Sequence, residues 1–120
     1  MSLIKTAGHV LLASMFITGG YGAFSQPGGR VTKVEQAGIP MARQATILNG
    51  GAMLVAGIAL AAGFLPKLAA LILLGTLIPT TYIGHQFWNE DAPQNRANQQ
   101  IHFTKNLAML GGLIAVLFEK

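Results

Sequence analysis

The chain has 120 residues, of which 52% are hydrophobic and only 10% charged, with a formal net charge of +4. A soluble domain carries about 25% charged residues, so a water-exposed fold of this length would lack polar surface. No cysteine is present, which excludes disulfides, thiolate metal ligands and iron–sulfur ligation on this chain. The basic residues are scattered singly among apolar runs, a pattern that suits anchoring at lipid headgroups and not nucleic-acid binding.

Residues 6–29, 44–66 and 68–89 contain no Asp, Glu, Lys or Arg, and a membrane-crossing helix needs roughly 20 mainly apolar residues. Three spans follow, and a shorter apolar segment at 101–118 adds a fourth, about 27 Å long at 1.5 Å per residue. The expected fold is all-α, an integral membrane four-helix bundle. It forms a single domain, 1–120, with spans near 6–24, 43–65, 68–88 and 101–118.

Span one reads "TAGHVLLASMFITGGYGAF". Lys5 ahead of it and Ala23-Phe24-Ser25 behind it have the look of a secretory leader with its cleavage site, but residues 6–24 are read as a retained span. It should fray or end in the series Gly19, Gly20, Gly22, Pro27, Gly28 and Gly29. In the connection that follows, which holds Arg30, Lys33 and Glu35, "VTKVEQAGI" can form a short amphipathic helix on the membrane surface. Pro40 in "AGIPMAR" sits near the start of span two.

Span two is rich in small residues. Ala52 with Ala56, Gly57 with Ala61 and Ala59 with Gly63 recur at helical i, i+4 spacing, which lets another helix approach closely, so span two is expected at the centre of the bundle. "FLPKL" turns at Pro66 and Lys67 into span three, where Pro79 should kink the helix and free a carbonyl that Thr80, Thr81 or a neighbour can satisfy. The stretch 89–100, "NEDAPQNRANQQ", reads as a polar loop outside the lipid. A faint echo joins "ILNGGAMLVAGIAL" to "NLAMLGGLIAVLF", either a duplicated hairpin or the chance likeness of small-residue helices.

With four spans, both termini and the Pro66–Lys67 turn share one face, bearing Lys5, Lys67 and Lys120. The other face bears Arg30, Lys33, Arg43, Arg96 and Lys105. Charge counting alone puts the termini outside.

The order of these segments is familiar: a small-residue first span, "AGIP" before span two, "GFLPKLAALILLGTLIPTTYIGHQFW" across span three and "KNLAMLGGLIAVL" in span four. The chain resembles the DoxX family of small four-helix bacterial membrane proteins over nearly its whole length. The strongest matches are His85, Phe87 and Trp88 at the end of span three, and Lys105, Asn106, Leu107, Ala108, Gly111 and Gly112 in span four. The resemblance implies a link to membrane redox systems, either as a subunit of a thiosulfate to quinone oxidoreductase or as a membrane partner of soluble oxidative-stress enzymes. Related domains occur in assembly or maturation factors, and no single family reaction carries over. The resemblance also favours the opposite orientation to the charge count, so orientation stays open. At Thr104 the chain departs from the pattern, in which an acidic residue often precedes the Lys-Asn pair, and this weakens any carboxylate–lysine pair there.

Candidate ligand-binding residues gather at the exit of span three. Polar residues inside spans are functional hypotheses by default. Tyr82, His85 and Trp88, spaced to share one helical face, could offer a quinone headgroup a hydrogen bond and a flat wall. Alternatively the two aromatics belong to the interfacial belt and His85 bonds to the loop. His102, Lys105 and Asn106 lie on the same membrane side and can join His85 around an anionic or carbonyl-bearing group, although a lysine can simply snorkel to the headgroups. His9 lies near the opposite face and reads as a structural histidine. No zinc or di-iron spacing is present, and the glycine pairs at 19–20, 50–51 and 111–112 read as packing glycines.

The expected function is a non-catalytic accessory subunit of a membrane redox or respiratory complex in a bacterial inner membrane, a multi-pass protein without a cleaved signal. Its expected partners are the lipid bilayer and other membrane subunits, and its expected non-covalent ligand a quinone or a lipid. The alternatives are a quinone-binding oxidoreductase subunit of the thiosulfate–quinone type and a membrane assembly factor or chaperone.

Overall fold

A computed structural model describes residues 2–119 of the chain, so Lys120, part of the charge count, lies outside the described residues. It contains helices α1 (Leu3–Ser25), α2 (Gly28–Gln36), α3 (Ala42–Ala62), α4 (Pro66–Gly84) and α5 (Pro93–Leu117), with a single 3-10 turn at Phe87–Asn89. No strand occurs among the described residues. The longest dimension is 45 Å, comparable to a bilayer with its headgroups, about 40–45 Å.

Three stretches, Leu3–Ser25, Ala42–Ala62 and Pro66–Asn89, are long and apolar enough to cross a membrane. Helix α5 is not among them, which narrows the four-span expectation: its N-terminal third is the polar run "PQNRANQQ", followed closely by His102, Lys105 and Asn106. That run is helical where a loop was expected. Pro93 occupies the first turn, where its missing N–H costs nothing, and Gln, Arg and Ala are good helix formers whether or not they meet lipid.

The four long helices pack in the order α1, α3, α4, α5, with a lighter contact from α5 back to α1. Helix α3 touches α1, α4 and α2, and its seam with α1 is the most extensive in the molecule. That seam depends on glycine. A Cβ on Gly20 would lie 2.6 Å from the Leu54 backbone nitrogen, and one on Gly50 would lie 2.7 Å from the Ala23 Cβ and 2.8 Å from the Phe24 nitrogen. Backbones this close maximise dispersion contact between helices for which lipid offers no hydrophobic drive.

Between α3 and α4 the chain reverses through Gly63, in the left-handed region at φ 75°, and Leu65 at φ 44°, before Pro66 begins α4. The core lies toward the end of the molecule that holds this turn and the termini. There Ala13, Leu60, Ala70, Leu73 and Leu113 are wholly buried. On the outside, Leu11, Leu48, Val55, Leu71 and Ile78 are exposed, as lipid-facing positions of membrane helices are.

At the terminal end His9 is buried and its Nε2 meets Glu119 Oε1 at 2.8 Å and Oε2 at 3.0 Å. The structural reading of His9 therefore has a partner, one that ties the first helix to the end of the chain. Its Nδ1 is buried with no hydrogen-bond partner.

Candidate functional site

At the other end three of the long helices present small side chains to one another: Gly19 and Ala23 on α1, Ala45 and Thr46 on α3, Thr80 and Gly84 on α4. Interiors pack to crystal-like density only when side chains fill the space between elements, and these do not. A cavity of about 730 Å³ results, within the range of roughly 300–1,000 Å³ typical of ligand pockets.

The cavity changes character along its length. Its floor is Phe16, Met53, Leu77 and Met109, the top layer of the buried core. Above lies a band of Thr46, Asn49, Thr80 and Asn106, in which Asn49 Nδ2 donates to Thr80 Oγ1 at 3.0 Å and the buried Asn106 donates to Thr81 Oγ1 at 3.0 Å. The mouth is lined by His85, His102, Lys105 and, from α2, Arg30 and Lys33.

Helix α2 is a partial roof and not a free surface helix. It packs on α3 and α4, and Lys33 Nζ donates to the Gly84 carbonyl at 2.8 Å. Gly84 is the last residue of α4, whose terminal carbonyls lack intrahelical donors and carry the negative end of the helix dipole, so a lysine is well placed there. Arg30 donates to the Gln26 carbonyl at 3.2 Å and lies over Gly22, where a Cβ would come within 3.1 Å of its guanidinium.

Four of the six candidate residues, His85, His102, Lys105 and Asn106, come together around this cavity. The His85 and His102 rings stack at 5.1 Å between centroids with 19° between their planes. His85 Nδ1 lies 2.8 Å from Gln99 Oε1. An amide oxygen only accepts, so Nδ1 carries the proton, and a neutral ring then presents Nε2 as an acceptor. Such a histidine can take a hydrogen bond or a proton from a ligand hydroxyl, and once protonated it can donate to an oxygen anion.

Tyr82 and Trp88 are elsewhere. They were placed on one face with His85 by assuming a continuous helix, but α4 stops at Gly84 and His85 is its C-cap, with backbone angles outside the helical region. The chain then turns, and the Trp88 ring lies tilted against Tyr82 at 5.9 Å between centroids and edge-to-face with Phe87 at 5.2 Å and Phe103 at 5.7 Å. Tyr82 is 64% exposed and Trp88 42% exposed. This is an outward aromatic cluster at the helix end, where amphipathic rings suit a membrane interface.

At Pro79, α4 continues without interruption. Thr80 Oγ1 donates to the Thr76 carbonyl at 2.6 Å, one residue beyond the Gly75 carbonyl that Pro79 leaves without its usual backbone donor.

Several lining residues were not singled out from sequence. Asn49 carried a usable signal, a polar amide within an otherwise apolar span. Arg30 and Lys33 carried none, because only the packing of α2 brings them over the cavity. Among the described residues no group of three or more His, Cys, Asp or Glu is placed to hold a metal ion.

Searches among curated proteins and among solved structures give no match. The DoxX family model matches residues 5–86, which takes in α1 to α4 and His85 while α5 lies beyond it. With three apolar helices able to span a bilayer and a family match over more than half its length, this is a membrane protein and belongs to the DoxX family.

Proposed function

We propose that the protein is a non-catalytic accessory subunit of a redox or respiratory assembly in a bacterial inner membrane, and that it carries a lipid-soluble ligand in its cavity. In this reading α5 crosses the bilayer beside the three more apolar helices, its polar N-terminal third projecting into the headgroup region and water. The observation that carries the ligand-binding part is the cavity itself, closed by apolar core at one end and lined by convergent polar side chains at the other. The accessory part is supported by exposed glycines on the long helices, such as Gly8, Gly75 and Gly111, where an added Cβ meets nothing within 4 Å and a helix of another subunit can approach closely.

Purification from the native membrane in mild detergent tests this proposal. Stoichiometric recovery within a larger redox assembly, with an extractable amphiphile, is expected. Recovery as a lone monomer with turnover of its own would sink the accessory role.

A quinone-binding subunit is the second reading, favoured by the stacked His85–His102 pair at the mouth of an apolar chamber. The imidazoles offer a flat wall and hydrogen-bonding nitrogens for a head, and the floor offers apolar room for a tail. An assembled His85→Ala complex that keeps full quinone reduction would count against it.

A further inference from the structure

We infer that the cavity is built for an amphiphile with an anionic head, a carboxylate or a phosphate, whose head lies among Arg30, Lys33 and Lys105 and whose single apolar chain reaches the Phe16–Met109 floor. This deepens the ligand-carrying reading and rests on it, but it does not depend on the redox role.

Charge is the first argument. Three permanent cations and two histidines line the mouth, and no Asp or Glu lines the cavity anywhere. Neither cation of α2 is balanced by a carboxylate in the bonds it makes: Lys33 is held by the Gly84 carbonyl and Arg30 by the Gln26 carbonyl, both neutral acceptors. The carboxylate of Glu119, which meets His9, lies at the opposite end of the molecule. Like charges converging on a chamber with low-dielectric walls focus a positive potential into it, and an anionic head is the ligand chemistry that such a potential selects.

Shape is the second argument. The polarity runs in one direction, from cations through the Asn49, Thr80 and Asn106 band to a wholly apolar floor. An inorganic anion would leave that floor empty, and a neutral hydrocarbon would leave the cations unmatched. A volume of about 730 Å³ suits one drug-sized ligand, hence one chain and not the two of a bilayer phospholipid. Arginine and lysine both bind carboxylate and phosphate, so the two head groups share the chemistry and are separated by experiment.

The test is binding to the full-length protein in a nonionic maltoside detergent, read by thermal unfolding and native mass spectrometry, with hexadecanoate, hexadecyl phosphate, hexadecanol and a short-tailed quinone as probes. Both anions are expected to bind and to raise the unfolding temperature, with hexadecanol weaker by about tenfold or more. Tighter hexadecanoate would point to a free fatty acid as the natural source, and tighter hexadecyl phosphate to a lipid phosphate. Arg30→Gln combined with Lys105→Gln should weaken the anions by about tenfold and leave hexadecanol unchanged. The variant Gly19→Leu serves as a plug: a Cβ at Gly19 meets nothing within 4 Å and Gly19 lines the cavity, so the protein should fold while the cavity fills and binding disappears.

Hexadecanol or the quinone binding as tightly as hexadecanoate, with no response to the charge variants, would overturn the anionic subsite while leaving a ligand-carrying subunit standing. Anion binding that survives Gly19→Leu would place the ligand on the outer surface and overturn the inference. Failure of every probe would overturn both the inference and the ligand-carrying reading.

Discussion

The two ends of this molecule are built from the same four helices and differ in almost everything else. At the end that holds the termini, Ala13, Leu60, Leu73 and Leu113 are wholly buried, and a part-buried histidine–carboxylate contact joins α1 to the end of the chain. At the other end glycine, alanine and threonine leave a chamber, and basic residues from α2, α5 and the end of α4 at His85 surround its mouth. The lesson is that residue size, level by level along the bundle, decides where a membrane helix protein is solid and where it is hollow. Polarity then decides what the hollow can hold.

The contrast can be broken most severely at the seam both ends share. Gly20→Val would drive a side chain into the Leu54 backbone, since even a Cβ would lie 2.6 Å from its nitrogen. Overpacking costs about 1–3 kcal/mol and can exceed that, and backbone cannot give way as a flexible side chain can. Thermal unfolding in detergent should show this variant as the least stable of the set. Gly111→Ala, where nothing lies within 4 Å of the new atom, should be neutral or slightly stabilising.

Next in size is the closed end. His9→Ala removes the partner of Glu119 and opens space around a side chain that is only 3% exposed, with an expected loss of about 1–3 kcal/mol. The double variant His9→Leu with Glu119→Leu should recover much of that, because replacing a buried pair by apolar residues is often neutral. Ligand binding at the far end should be unaffected by either. A large binding defect in the double variant would show that the two ends are coupled and not independent.

A smaller effect is expected at the polar band of the open end. Asn106→Leu removes the bond to Thr81 at 3.0 Å and should cost about 1 kcal/mol, since the threonine hydroxyl can turn to a carbonyl of its own helix. The same variant should weaken ligand binding, a readout that His9→Ala does not move. Smallest of all is Tyr82→Phe, at an exposed ring outside the chamber. It should stay within about 0.5 kcal/mol of the parent and bind ligand normally. Loss of binding there would restore Tyr82 to the site.

The legibility of the site followed the range of the interactions involved. His85, His102, Lys105 and Asn106 could be grouped because helix direction and membrane side are set by chain order once the spans are known. Tyr82 and Trp88 were misplaced relative to His85 because one broken turn after Gly84 rotates everything beyond it. The polar run that opens α5 looked like a loop because it is hydrophilic, although its Gln, Arg and Ala residues favour helix.

By itself the sequence determined that this chain is helical and lives in a membrane, since uncharged runs of that length leave the backbone no way to satisfy its hydrogen bonds in lipid except within each helix. It also determined the small-residue faces that permit close helix approach. Only the tertiary structure decided that Gly20 and Gly50 face each other across the α1–α3 seam, that His9 finds Glu119 across the length of the chain, and that α2 folds over a cavity with its cations at the mouth. These depend on the rotation and register of one helix against another, which are fixed by packing between distant segments and leave no periodic mark in any one of them.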